Sequence, residues 1–372
     1  MNGLAAVAAL AAFVGCTHEI SPLVDPDARD EVAFEAARRA YDAMQFDAAQ
    51  AQFDAFLVEF PDSVRHAEAW YMAGRCRYEL THFVDAIGVL GEMRAAHPDS
   101  QFVVNASYYI GRSEFEAQQY AEAELELSAF ELAYGDSDYL DDARYYLGRT
   151  FYDRAMYVES IPPFERVLAG GTDGFVIGAS YYVGRARFET GDPSGALVDF
   201  RRVLELDPFG MFGDNAQYYI GRCLFDSGDL AGATTELRTA EQTYPDSTYM
   251  DEIRYWLGRS YYDRSLFADA VAPFERLITI ANTTLRDDGL FMLGRSRYEI
   301  DHVPSALPPM QEIETSYPDS NFVDNCLYWQ ARIYTDLRDC PSATSAVERL
   351  RAAFPTSSEL TRAVSYLSNH GC

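Results

Sequence analysis

Nine Gly-Arg or Ala-Arg pairs recur along the chain at an almost constant interval. Their small residues are Ala37, Gly74, Gly111, Gly148, Gly184, Gly221, Gly258, Gly294 and Ala331, spaced 37, 37, 37, 36, 37, 37, 36 and 37 positions apart. A unit of that size cannot bury an apolar face alone, so a regular series must stack neighbour on neighbour as a solenoid. Within a unit the apolar period is helical: a first helix is predicted from about Asp142 to Met156, and after a turn a second carries Phe164, Val167 and Leu168. The predicted class is all-α.

Twelve positions past the Gly, eight units have alanine (Ala86 and Ala233, for example), and Ser160 is the exception. A small residue there lets the second helix approach the first. Twenty-four past it stands proline in six units, as at Pro98, Pro245 and Pro318, ending the second helix. The Asp-Ser that follows, as in Asp99-Ser100, is predicted to cap the next first helix. Small-Gly, Ala, a large apolar residue and a terminal Pro together resemble the tetratricopeptide repeat, whose usual unit is about 34 residues. The resemblance implies a right-handed superhelix of helix pairs. The longer 36–37-residue variant is similar to two families of Gram-negative envelope proteins: the periplasmic partner of the Tol-Pal division system and the repeat lipoprotein of the β-barrel assembly machine. Nine repeats are expected over 31–357 and a capping helix over 358–372, where Tyr366-Leu367-Ser368-Asn369 stands in the Tyr-Leu-Gly-Arg place.

A longer period of 110 residues overlies the first. Asn105, Asn215 and Asn325 mark it, as do the phrases GRCRYE, GRARFE and GRSRYE beginning at Gly74, Gly184 and Gly294. The array reads as copies of a three-repeat block.

Counting from the small residue, the next position is always arginine: Arg38, Arg75, Arg112, Arg149, Arg185, Arg222, Arg259, Arg295 and Arg332. Three before it is aromatic, at Phe34, Tyr71, Tyr108, Tyr145, Tyr181, Tyr218, Tyr255, Phe291 and Tyr328; five after it is acidic, as at Glu79 and Asp226. These offsets differ by four, so aromatic, arginine and acid share one helix face. In the resembled family that face lines the ligand groove. Two readings stand. One is a ladder of alternating charge that satisfies itself between repeats. The other is a binding face on which arginine forks take carboxylates and tyrosine rings offer flat contact to peptide or sugar. The aromatic four past the Gly, such as Tyr78 or Phe225, is predicted to be core.

Charge narrows the partner. The chain has 30 Lys+Arg against 58 Asp+Glu, a net of −28, and contains no lysine. Phosphate binding needs a cationic face, so nucleic acid is excluded. Residues 1–16 form an apolar run too short to span a bilayer, which takes about 20 residues. Ending Phe13-Val14-Gly15-Cys16, the run resembles a bacterial lipoprotein signal, which implies lipidation at Cys16 and, with Thr17 next, an outer-membrane anchor. Residues 17–30 read as an acidic tether.

Cys76 and Cys223 share a slot two past the Gly that small residues fill elsewhere, and read as buried fillers. Cys340 and Cys372 fall in adjacent units and are expected to form a disulfide holding the cap. Without lysine there is no Schiff base or phosphate-loop chemistry, and the six histidines occupy no repeated slot. No enzyme, metal or cofactor is expected. The sequence reads as a non-catalytic periplasmic scaffold binding a protein or peptide of the cell envelope, with a glycan-binding or polysaccharide-export module as the alternative.

Overall fold

The computed structural model describes residues 29–170, 173–301 and 304–372. The proposed signal, Cys16 and tether residues 17–28 lie outside them. The chain falls into two units that divide between Glu126 and Leu127. The first holds α1 (Arg29–Asp42), α2 (Phe46–Glu59), α3 (His66–Glu79), α4 (Phe83–Ala96) and α5 (Val103–Glu116); α6 (Tyr120–Ala133) carries the division. The second holds α7 (Leu140–Asp153), α8 (Tyr157–Gly170), α9 (Asp173–Glu189), α10 (Pro193–Leu206), α11 (Gly213–Asp226), α12 (Leu230–Thr243), α13 (Met250–Asp263) and α14 (Phe267–Leu277). It continues through α15 (Arg286–Asp301), a 3₁₀ turn at Pro304–Ala306, α16 (Leu307–Ser316), α17 (Val323–Asp336), α18 (Cys340–Ala353) and α19 (Ser358–His370). Within each unit consecutive helices pack on one another, and α19 packs on α17 and α18. Among the described residues there is no strand, and no helix is long and apolar enough to cross a membrane.

The glycine at positions 74, 148, 184, 221, 258 and 294 is explained by the large side chain sixteen positions on. A Cβ at Gly221 would stand 2.5 Å from Leu237 Cγ, and one at Gly148 2.7 Å from Phe164 Cε1. Gly258 meets Phe274 in the same way, and Gly294 meets Met310, at 2.6 Å each. Second helices end two residues before proline, at Ala96 before Pro98 and Thr243 before Pro245. First helices end for another reason: the residue seven past the Gly turns left-handed, at φ 56° to 61° in Met44, Thr81, Gln118, Ala155, Ser265 and Arg338, and at 83° in Gly191 and Gly228. Hence α7 stops at Asp153 and not at Met156.

The expected serine caps are corrected. The helices begin three residues past Ser100, Ser247 and Ser320, behind Phe102, Tyr249 and Phe322, none of which makes a side-chain cap. The serine instead accepts from the backbone N–H two residues on. It also ties repeats together: Ser63 Oγ donates to Asp30 at 2.6 Å, Ser247 to Asp214 at 2.8 Å, Ser320 to Asp287 at 2.6 Å and Ser357 to Asp324 at 2.7 Å. The 110-residue period has a physical counterpart in the second unit. Glu131 binds Arg144 and Arg166 at 2.8 and 2.9 Å, and Glu241 binds Arg254 and Arg276 at 3.0 and 2.8 Å. Cys340 and Cys372 are joined by a disulfide, Cα to Cα 5.0 Å.

One carboxyl in the first unit sits against this order. Glu114 is buried on α5, and burial, then Glu126 and Glu122, push its pKa up to about 7. A raised carboxyl binds its proton more tightly folded than unfolded, so stability falls as pH rises from about 4.5 through 7. Glu114→Gln should remove that slope and gain on the order of 1–2 kcal/mol at pH 8, after allowance for partial solvation, with little change at pH 4.5. Paired thermal melts at the two pH values check this; equal shifts at both would refute it.

Candidate functional site

The arginine row is built by helix geometry and then enclosed by rings. In the first unit the Arg75 guanidinium carbon lies 3.9 Å from the Tyr109 ring centroid, while its Nη2 donates to Tyr41 at 2.8 Å. In the second unit Arg149 stacks on Tyr182 at 4.3 Å, Arg185 on Tyr219 at 4.4 Å, Arg222 on Trp256 at 3.6 Å and Arg295 on Trp329 at 4.2 Å. Each platform sits two before the Gly of the next repeat. The cap supplies the last, Tyr366, 4.9 Å from Arg332. Arg259 has Met292 at that place.

The same arginines are held from their own helix. Arg75, Arg112, Arg185 and Arg222 donate to Tyr71, Tyr108, Tyr181 and Tyr218 at 3.1 Å, Arg259 to Tyr255 at 3.2 Å and Arg332 to Tyr328 at 3.4 Å. Four residues on, Arg75 meets Glu79 at 2.9 Å, Arg149 meets Asp153 at 3.1 Å and Arg185 meets Glu189 at 3.4 Å. Except at Arg259, a guanidinium face is thus covered, and the side chains remain partly in solvent, 17% exposed at Arg222 and 31% at Arg259.

The tyrosines three before the Gly are a correction. Tyr71, Tyr108, Tyr145, Tyr181, Tyr218 and Tyr328 are buried, and Tyr255 is half-buried. Their rings pack in the core, so they orient arginine through the hydroxyl and offer no flat face to peptide or sugar. The aromatic four past the Gly stands edge-on to the stacking platform: Tyr78 to Tyr109 at 5.3 Å, Phe188 to Tyr219 at 5.3 Å, Phe225 to Trp256 at 4.9 Å. Sequence reasoning assigned no role to those platforms, although the doublets Tyr108-Tyr109, Tyr218-Tyr219 and Tyr255-Trp256 are visible in it. Cys76, Cys223 and Cys326 are buried free thiols, and burial pushes Cys76 and Cys223 up to about 12, away from reactive thiolate. Among the described residues no three His, Cys, Asp or Glu side chains are grouped to hold a metal ion.

A helical solenoid with this internal order defines a class. A tetratricopeptide-repeat family model matches residues 34–101 and 183–248, so those two segments are similar to repeats of a kind that ordinarily serves as a scaffold for protein interaction. Two solved structures share the fold. The C-terminal part of a TPR repeat-containing protein from Cytophaga hutchinsonii is 18% identical, with a TM-score of 0.57 over 69% of this chain and 99% of that one. The apo form of RapI is 12% identical, with a TM-score of 0.54 over 90% and 98%. A tetratricopeptide repeat protein from Parabacteroides merdae is 12% identical over 72% and 98%, at a TM-score of 0.47. No curated protein matches the sequence.

Proposed function

We propose that this chain is a non-catalytic scaffold of the cell envelope, held at the outer membrane through lipidated Cys16, that engages a protein or peptide along its arginine-bearing helix face. One observation carries the binding part. Arg75, Arg112, Arg149, Arg185, Arg222, Arg259, Arg295 and Arg332 recur at one position of successive first helices, and those of the second unit that stack on a ring are fixed flat with an edge in solvent. A guanidinium already immobilised loses little freedom on meeting a carboxylate, so it binds at lower entropic cost than a free side chain. Buried tyrosines remove the main support for the glycan alternative. The lipoprotein-like ending at Cys16 supports the envelope location.

The test is photo-crosslinking in living cells from a reactive residue placed at position 189, beside Arg185, in the full chain. An envelope protein should be captured, and Arg185→Gln/Arg222→Gln/Arg259→Gln should abolish capture while the chain still melts cooperatively. Cys16→Ser should move the captured complex from the membrane fraction to the soluble one. Capture undiminished by the triple substitution, or a chain that stays soluble with Cys16 intact, would reject the corresponding half of the proposal.

A further inference from the structure

The connection between α10 and α11 departs from those between α12 and α13 and between α16 and α17. Where Pro245-Asp246-Ser247 and Pro318-Asp319-Ser320 are polar, this connection reads Pro208-Phe209-Gly210-Met211. The serine-to-aspartate tie is also absent at this step, because Gly210 has no hydroxyl and its counterpart 33 residues earlier is Ile177. Polar groups have been replaced by two large apolar side chains that stand in water: Phe209 is 79% exposed and Met211 83%. Leaving such groups in solvent forgoes the free energy that burial would return.

The loop is held in shape. Tyr244 Oη donates to the Pro208 carbonyl at 2.8 Å. A Cβ at Gly213 would lie 1.8 Å from that same carbonyl oxygen, so only glycine permits the close approach of the two backbones. The ridge is therefore presented and not frayed. A cleft of about 320 Å³ lies on its Met211 side, walled by Tyr146, Phe175, Ile177 and Asp207. One of about 310 Å³ lies on its Phe209 side, walled by Tyr244, Pro245, Asp214 and Asp246. Acidic residues line both clefts, and among the described residues no basic one lines either.

We infer that the Phe209–Met211 ridge and its two clefts are a docking surface for a cationic, apolar peptide segment, in which aromatic or aliphatic side chains fill the clefts and flanking arginines or lysines meet Asp207 and Asp246. A second copy of this chain fits poorly, since two chains of net charge −28 repel. The inference rests on the scaffold reading but uses a different surface, the rim of the helix pairs and not the arginine face.

Fluorescence anisotropy with three labelled 16-residue peptides of one length and spacing tests it on the full chain: Arg with Phe, Glu with Phe, and Arg with Ser. The Arg/Phe peptide should bind, and Phe209→Asp/Met211→Gln should weaken it at least about tenfold, while the Arg185→Gln/Arg222→Gln/Arg259→Gln variant binds as wild type. The ridge variant restores the Pro-Asp pattern of Pro245-Asp246, so the connection retains a sequence the fold already uses. Binding unchanged in the ridge variant, equal binding of the Arg/Ser peptide, equal binding of the Glu/Phe peptide to the Arg185→Gln/Arg222→Gln/Arg259→Gln variant, or no binding of the Arg/Phe peptide would overturn the inference. So would sedimentation showing a dimer that the ridge variant dissolves. Loss of the ridge result with crosslinking at the arginine face intact leaves the scaffold reading standing, and the reverse separates them equally.

Discussion

Gly221→Val is expected to remove about 3 kcal/mol of stability from the second unit. The glycine faces Leu237, which is fully buried, and a Cβ would already stand 2.5 and 2.6 Å from its Cγ and Cδ2. Leu237 lies in a continuous buried cluster, so making room for an added side chain means displacing packed neighbours. Overpacking of this kind typically costs 1–3 kcal/mol, and valine adds two branches beyond the first clash. The matched control is Gly88→Ala on α4, where an added Cβ meets nothing within 4 Å. That change should gain up to about 1 kcal/mol from helix propensity. Urea unfolding of both variants decides the matter: a Gly221→Val midpoint equal to wild type would show that the helix spacing is not set by this contact.

Cys372→Ser should release the cap. The disulfide closes a loop of 32 residues, and a cross-link of that span contributes about 3–4 kcal/mol by restricting the unfolded chain. In a repeat array such a loss falls on the terminal unit. α19 should then fray first, uncovering Ala363 and Leu367. It should also withdraw Tyr366, whose hydroxyl donates to Asp336 at 2.6 Å and whose ring covers Arg332. Limited proteolysis should cut within 358–372 at a rate at least ten times that of the oxidised wild type, by an order-of-magnitude conversion of a fraction of that free energy. Reductant should reproduce the effect in wild type, and equal cleavage of both chains would exclude a role for the bridge.

Much of the helical order was legible because its causes are local. The Gly, the alanine twelve on and the proline twenty-four on each record one steric demand, and each recurs in register. The left-handed turn seven past the Gly was not legible. Only Gly191 and Gly228 carry the residue that conformation favours, while Met44, Gln118, Ala155 and Arg338 adopt it under the constraint of the packed hairpin. The tie from Ser63 to Asp30 spans 33 residues, and neither partner signals the other. The arginine stripe was legible as a row, but its environment was not. Whether Tyr218 faces water or core depends on how closely the next repeat approaches, and it lies 4.8 Å from the Tyr249 ring, stacked. The exposed ridge at Phe209 was hidden because it breaks the pattern that made the remainder readable.

The stacking of arginine on the following repeat's ring gives the array a direction. In the second unit the cations lean forward, Arg185 onto Tyr219 and Arg222 onto Trp256, so a repeat is completed by its successor except at Arg259, which meets Met292. Deleting one interior repeat would leave a matched pair at the scar, since the next unit offers an equivalent ring. Deleting the cap leaves Arg332 with no successor. Whole units can thus be gained or lost inside the series wherever a ring follows the new junction, whereas loss of α19 takes away the Tyr366 ring over Arg332.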